Sequence, residues 1–188
     1  MMKTLFLLAF LPLVAASLEA QAFELSNLAL SPSESPGWVW ESFADTVMGG
    51  KSELVPPAII EAESGKALLL AGKVVTKGGG FIQVRLKHGK GLFDASGYTG
   101  VELEVDARSA KSWFVFLRTK DNLFPWSYYG APINPGLQKS VIRVPFSAFK
   151  AESTGRKAVR AEYLSSVALV AAYEDFNAYM RIYRVGFY

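Results

Sequence analysis

The sequence predicts an all-β sandwich. Apolar and aromatic residues fall in short runs that alternate with polar ones, the spacing of half-buried strands. Glycine and proline turn signals separate these runs at fairly regular intervals. Only Arg156–Ser165 has the character of a helical turn or two. The 188 residues suit one domain with a full core and are too few for two comfortable ones.

Residues 1–22 have the features of a cleaved export signal. Met1-Met2-Lys3 is a short positive opening, Leu5–Ala16 is an apolar run broken by Pro12, and Ala20-Gln21-Ala22 fits a small-x-small cleavage site. The mature chain is expected to start at Phe23. The run falls short of the roughly 20 apolar residues needed to span a bilayer, so no stable membrane insertion is expected after cleavage. Residues 23–37 form an N-terminal segment ending in the polar, proline-bearing linker Ser31–Gly37. The folded domain is placed at residues 38–188.

Within that domain the strands follow in order. Trp38–Phe43 and Ser52–Val55 flank Gly49-Gly50, predicting a strand–turn–strand unit with Asp45 and Ser52 near the turn. Lys66–Val75 carries Leu68, Leu69, Leu70, Val74 and Val75. Phe81–Leu86 alternates apolar and polar residues. Val101–Asp106 alternates strictly, so Glu102 and Glu104 are expected on a solvated face. Trp113–Leu117, Trp126–Tyr129, Ser140–Val144, Ser165–Tyr173 and Tyr179–Phe187 complete the set. Ser165–Ala172 is alanine-rich, but its valines and flanking strands favour strand.

Composition excludes several function classes. The chain has no cysteine, which rules out disulfides and a lipoprotein anchor, and it has a single histidine. With no glycosylation sequon either, the expected location is the bacterial periplasm or the exterior. The net charge of +3 is spread among acidic residues, and the Lys87-His88-Gly89-Lys90 cluster reads as solvated strand ends. Nucleic acid is not expected as a partner without a larger basic stripe.

Gly49-Gly50-Lys51-Ser52 superficially resembles the end of a phosphate-binding loop. That motif requires glycine where Asp45 stands, and a helix afterwards. Pro56-Pro57 denies the helix.

The run Phe43–Ser52 resembles the opening signature of the complex I intermediate-associated protein family, named after a thirty-kilodalton mitochondrial assembly factor. Gly79–Arg85 resembles its Gly-Gly-Phe strand, and Phe93–Gly100 its Asp-x-Ser-x-Tyr-x-Gly turn. Trp113–Arg118 is similar to a family strand ending in arginine, and Val144–Phe149 to its Ile-Pro-Phe segment. The resemblance covers roughly residues 38–188. It implies a galactose-binding-like jelly-roll β-sandwich and brings no catalytic residue set. Glu174–Tyr179 departs from the family's Asp-Gly-Pro-Phe turn, so that loop is rebuilt. The mitochondrial role does not transfer to an exported protein.

No nucleophile–base pair is evident, because His88 is the sole imidazole and is expected at a surface hairpin tip. No metal motif is evident, since zinc would find one imidazole and no thiolate. Glu174 and Asp175 are oxygen donors of the type that holds calcium, so a calcium cofactor is one reading of that loop. The aromatic run Phe124–Tyr129 is the stronger lead. As a strand, it places Trp126 and Tyr128 on one face and Ser127 and Tyr129 on the other, leaving two readings: all the rings pack as sandwich core and rim, or one face is core and the other is available to a ligand. Arg85 and Arg118 are the expected companions, offering fixed donors to hydroxyls or carboxylates. Asp45, Gly49, Gly50 and Ser52 are expected to shape the adjoining turn by side-chain-to-backbone hydrogen bonds.

The sequence thus predicts an exported non-catalytic binding or assembly-type module, presenting a sandwich face or loop rim to a protein partner or a glycan. The alternatives are a polysaccharide-acting envelope enzyme and a self-associating structural envelope protein. Oligomeric state is left open.

Overall fold

The computed structural model describes residues 23–27, 37–109 and 112–188. The expected leader and the linker residues 28–36 lie outside the described residues. Two antiparallel sheets face each other, one of seven strands and one of six. The first contains β1 (Phe23–Asn27), β3 (Glu53–Leu54), β4 (Ile59–Ala62), β5 (Gly65–Val74), β7 (Gly100–Ala107), β10 (Ser140–Pro145) and β13 (Phe176–Phe187). Its order is β10-β7-β13-β5-β3, with β1 paired to β13 and β4 to β5. The second contains β2 (Trp38–Ala44), β6 (Phe81–His88), β8 (Trp113–Thr119), β9 (Tyr128–Ile133), β11 (Lys150–Glu152) and β12 (Leu164–Ala172). Its order is β11-β9-β8-β12-β6-β2.

The period of two fixes which side chains meet between the sheets. Val101, Leu103 and Val105 of β7, with Met180, Ile182 and Val185 of β13, face Val115 and Leu117 of β8 and Val167 and Leu169 of β12, all fully buried. One end of the core is closed by rings: Phe93 packs on Trp38 and Phe187, and a single bridge joins Phe93 to Leu164. This apolar interior is the main stabilising contribution, as expected without disulfides. The jelly-roll sandwich expected from the sequence is the fold.

Several local expectations are corrected. β2 and β3 do not form a hairpin around Gly49-Gly50; β2 pairs with β6 in one sheet and β3 with β5 in the other. The intervening residues Asp45–Met48 make a 3-10 turn, and Gly49 caps it at φ +85°. The chain uses this corner to cross between sheets. Glu102 is not solvated but 4% exposed, because Arg143 and Arg184 close over it. Of Arg156–Ser165, only Ala161–Tyr163 is helical, as one 3-10 turn. His88 is not on a hairpin tip; it ends β6, with its ring 5.0 Å from Trp38. The strand expected at Trp126 begins at Tyr128, and Phe23–Asn27, Ile59–Ala62 and Lys150–Glu152 are strands the periodicity missed.

Candidate functional site: an aromatic groove across the second sheet

The second sheet carries a groove of about 1030 Å³ on its outer face. Its depth starts from β12, one of the two innermost strands. There the outward positions are Ser166, Ala168, Val170 and Ala172, all small or medium in size. Long side chains on the neighbouring strands then stand up as walls. Register sets the rows: Ala168 lies between Arg85 and Phe116, and Ser166 between Lys87 and Arg118. Alanine-richness, ambiguous in the sequence, here makes the groove floor.

The aromatic wall comes from β8, β9 and the loop before β9. Tyr128 stacks on Phe116 with ring centroids 3.9 Å apart. Gly130 makes room for this, since a Cβ there would lie 3.1 Å from the Tyr128 ring and 3.2 Å from the Phe116 ring. The Tyr128 hydroxyl meets that of Tyr173 at the end of β12. Burial first, and the Tyr173 hydroxyl next, push the Tyr128 phenol above its ordinary range, so it stays neutral. Trp126 stacks on Phe124 at 5.1 Å and is 56% exposed. Trp126 and Tyr128 do not share a strand face, because Trp126 sits in the turn. The turn nevertheless delivers both rings to the groove. Ser127 and Tyr129 are buried, as the core side of that alternation.

Arg118 positions that turn. Its Nη1 donates to the Pro125 carbonyl, and its Nη2 donates to the carbonyls of Asn122 (3.1 Å) and Phe124 (2.8 Å). The loop bearing Trp126 is thereby tied to β8. Arg85 donates from Nη2 to Glu41 and lies 4.9 Å from the Phe43 ring. Its Nε is buried and without a hydrogen-bond partner. Lys87 is 3.5 Å from the same Glu41. Burial tends to raise the Glu41 carboxyl, but Arg85 and Lys87 outweigh that and hold it below its ordinary range.

The opposite rim is shaped by Asp45. This carboxylate is fully buried and accepts hydrogen bonds from Ser52 N (2.9 Å), Ser52 Oγ (2.9 Å) and Gly80 N. A Cβ on Gly50 would fall 2.1 Å from Asp45 Cγ, and one on Gly79 would fall 2.7 Å from Asp45 Cβ. The two glycine motifs of the sequence, far apart in the chain, therefore line one carboxylate cradle. Ser52 Oγ also accepts from Val75 N at 3.0 Å. Together these bonds hold the corner whose Val47 and Met48 border the groove. Asp45 and Ser52 were expected to act locally; the bonds to Gly80 and Val75 are long-range and were not legible.

Elsewhere, Asp175 Oδ1 accepts from Thr76 N (2.7 Å) and Thr76 Oγ1 (2.6 Å), pinning the rebuilt loop to the end of β5. Glu174 beside it is exposed. Among the described residues no group of three or more histidines and carboxylates converges as a metal site. No helix among them is long and apolar enough to cross a membrane.

The family model for complex I intermediate-associated protein 30 matches residues 30–172. No curated protein sequence matches the chain. Among solved structures, the chain is similar to a family 11 carbohydrate-binding module from Clostridium thermocellum, solved with a β-1,3-1,4-mixed-linked tetrasaccharide. That match has 11% identity and a TM-score of 0.66, over 88% of this chain and 94% of that one. It is also similar to the family 30 carbohydrate-binding module of a cellulosomal cellulase of the same organism, at 10% identity and TM-score 0.59, over 89% and 96% of the two chains. A third likeness is to an exo-β-agarase, at 9% identity and TM-score 0.55, covering 90% of this chain but 25% of that one. At these identities the likeness is one of fold.

Proposed function

This chain belongs to the complex I intermediate-associated protein 30 family, and from the groove on its second sheet we propose that it is a non-catalytic binding module for a glycan chain. The observation that carries this reading is the pairing of Trp126 and Tyr128 along an open groove, each ring backed by a second aromatic. Sugar rings present flat C–H faces that stack on such surfaces while their hydroxyls need fixed polar partners. Gln83, Ser165, Ser166 and Glu152 supply those partners along the floor and rim. The likeness in fold to carbohydrate-binding modules supports the same reading.

Binding without hydrolysis fits the carboxylates. Glycoside hydrolysis by the usual route needs two carboxyl groups flanking one bond. Among the described residues lining the groove, Glu152 is the only carboxylate. Glu41 beyond it is committed to Arg85 and Lys87.

The reading includes export, resting on the composition of residues 1–22. Cleavage after Ala22 would leave β1, which begins at Phe23, intact. Intact mass of the protein recovered from outside the cytoplasm tests this; a mature start within β1 would contradict it.

The direct test is thermal unfolding against a panel of neutral and acidic oligosaccharides, with and without calcium. A ligand that binds only the folded state raises the midpoint with its concentration. Trp126→Ala should leave stability within about 0.5 kcal/mol, as a surface change, and weaken binding about tenfold or more. A flat panel overturns the glycan reading. Unfolding on loss of Trp126 overturns its assignment to the site.

A further inference from the structure

We propose that the groove is built for an acidic glycan, with an anionic group on a sugar ring seated between Arg85 and Arg118. The inference rests on the glycan reading and names the class of sugar.

Both arginines project from strands flanking β12. Arg118 lies opposite Ser166 and Arg85 opposite Ala168, so the two side chains rise from diagonal positions across the smallest part of the floor, and both line the groove. Serine and alanine put no bulk between them. Arg118 spends its Nη donors on the carbonyls of Asn122, Phe124 and Pro125, which are neutral. Among the described residues, no carboxylate stands within ion-pair distance of it. Arg85 has Glu41 on one side, yet its buried Nε has no partner.

The charges do not cancel. Among the described residues lining the groove, Arg85, Lys87 and Arg118 stand against Glu152 alone, and Glu41 outside the lining is shared by Arg85 and Lys87. Burial depresses the Arg118 guanidinium below its ordinary range, and the charge of Arg85 acts in the same direction. Two like charges held in a half-buried groove are unfavourable, and an anion between them relieves both. A neutral hydroxyl satisfies a donor but leaves the charge uncompensated. A ring-borne carboxylate or sulfate satisfies both through charge-assisted bonds. The stacking wall at Tyr128 and Phe116 adjoins this seat, because Phe116 shares the Ala168 row with Arg85.

The test compares matched pairs by calorimetric titration of the whole protein. One pair is an oligogalacturonate and its methyl ester; the other is a sulfated galactan oligosaccharide and its desulfated form. A neutral β-glucan oligosaccharide is the control. The charged member of at least one pair should bind about tenfold tighter than its neutral form, and the preferred pair distinguishes carboxylate from sulfate. The preference should shrink as sodium chloride is raised. Arg85→Gln should bring the charged-to-neutral ratio near one. This variant avoids the loop held by Arg118, and it leaves Glu41 with Lys87. Equal binding of charged and neutral members in both pairs, or a preference untouched in Arg85→Gln, overturns the acidic seat. If only the neutral glucan binds, the acidic proposal fails while the glycan reading survives. If no sugar binds, both fail.

Discussion

On the outer face of the first sheet, the central strand β13 presents Arg181, Tyr183 and Arg184, and β7 answers with Glu102, Glu104 and Asp106. Asp106 accepts from Arg181 Nε and the Tyr183 hydroxyl, each at 2.7 Å. Glu102 is held by Arg143 at 2.7 Å and by Arg184, and Glu104 faces Lys139 at 3.2 Å. The register shift between Ile182 and Arg184 puts both Tyr183 and Arg184 on this face. On the outer face of the second sheet, β12, one of the two innermost strands, presents serine, alanine and valine, with aromatic rings, Arg85 and Arg118 on the strands either side. The same strand alternation thus gives one face closed by paired charges and one left open as a groove. Side-chain length on β13 and on β12 makes the difference. Long residues reach across and neutralise their neighbours; short ones leave room for a ligand to do so.

Substitutions on the paired face should therefore change stability without touching binding, and those on the groove should do the reverse. The largest effect is expected for Asp106→Ala. It strands a half-buried arginine and a buried phenol that is pushed up to about 12 by burial and by Asp106 itself. A loss of about 2–4 kcal/mol is expected in urea unfolding, with sugar affinity unchanged. Comparable weakening of sugar binding would mean that the two faces are coupled through the core.

Acid should expose the same contrast at intermediate size. Burial acts to raise the Glu102 carboxyl, but the bonds from Arg143 and Arg184 outweigh it and leave it below its ordinary 4.5. A group depressed in the folded state stabilises above its unfolded value and loses that contribution as pH falls through its folded value. Stability should therefore fall as pH drops below about 4.5, and Glu102→Gln should remove roughly 1–2 kcal/mol at neutral pH and flatten the acid limb. An acid limb identical in Glu102→Gln would place the loss in other carboxylates.

The smallest effect is expected at the groove rim. Tyr173→Phe removes the hydroxyl partner of Tyr128 at an exposed site, a change of about 0.5 kcal/mol or less in stability. Sugar binding should weaken a few-fold because the Tyr128 ring is less firmly set. A large stability loss there would make the tyrosine pair structural.

The sandwich was legible because strand alternation is local. Val101–Asp106 declares a buried and an outer face by residue type alone, Trp113–Leu117 is recognisable as a strand by its β-branched and aromatic residues, and the structure lengthens each by two residues. The groove residues were legible in part. Trp126, Tyr128, Arg85 and Arg118 all reach the groove, although the reason given for pairing Trp126 with Tyr128 was a strand that does not extend that far. Phe43, Phe116 and Tyr173 were missed because nothing in their own segments distinguishes an outer ring from a core ring.

The sequence by itself determined the alternation, the punctuation by glycine and proline, the absence of thiols and, through short motifs, the family. Each depends on residue type or on neighbours a few positions away. The tertiary structure decided which strands are central, and so which outward side chains become floor and which become wall. It also decided that Glu102 is buried rather than solvated and that Gly50 and Gly79 serve the same carboxylate. These are consequences of pairing between segments tens of residues apart, and side-chain alternation, whose period is two, carries no information about which partner lies alongside.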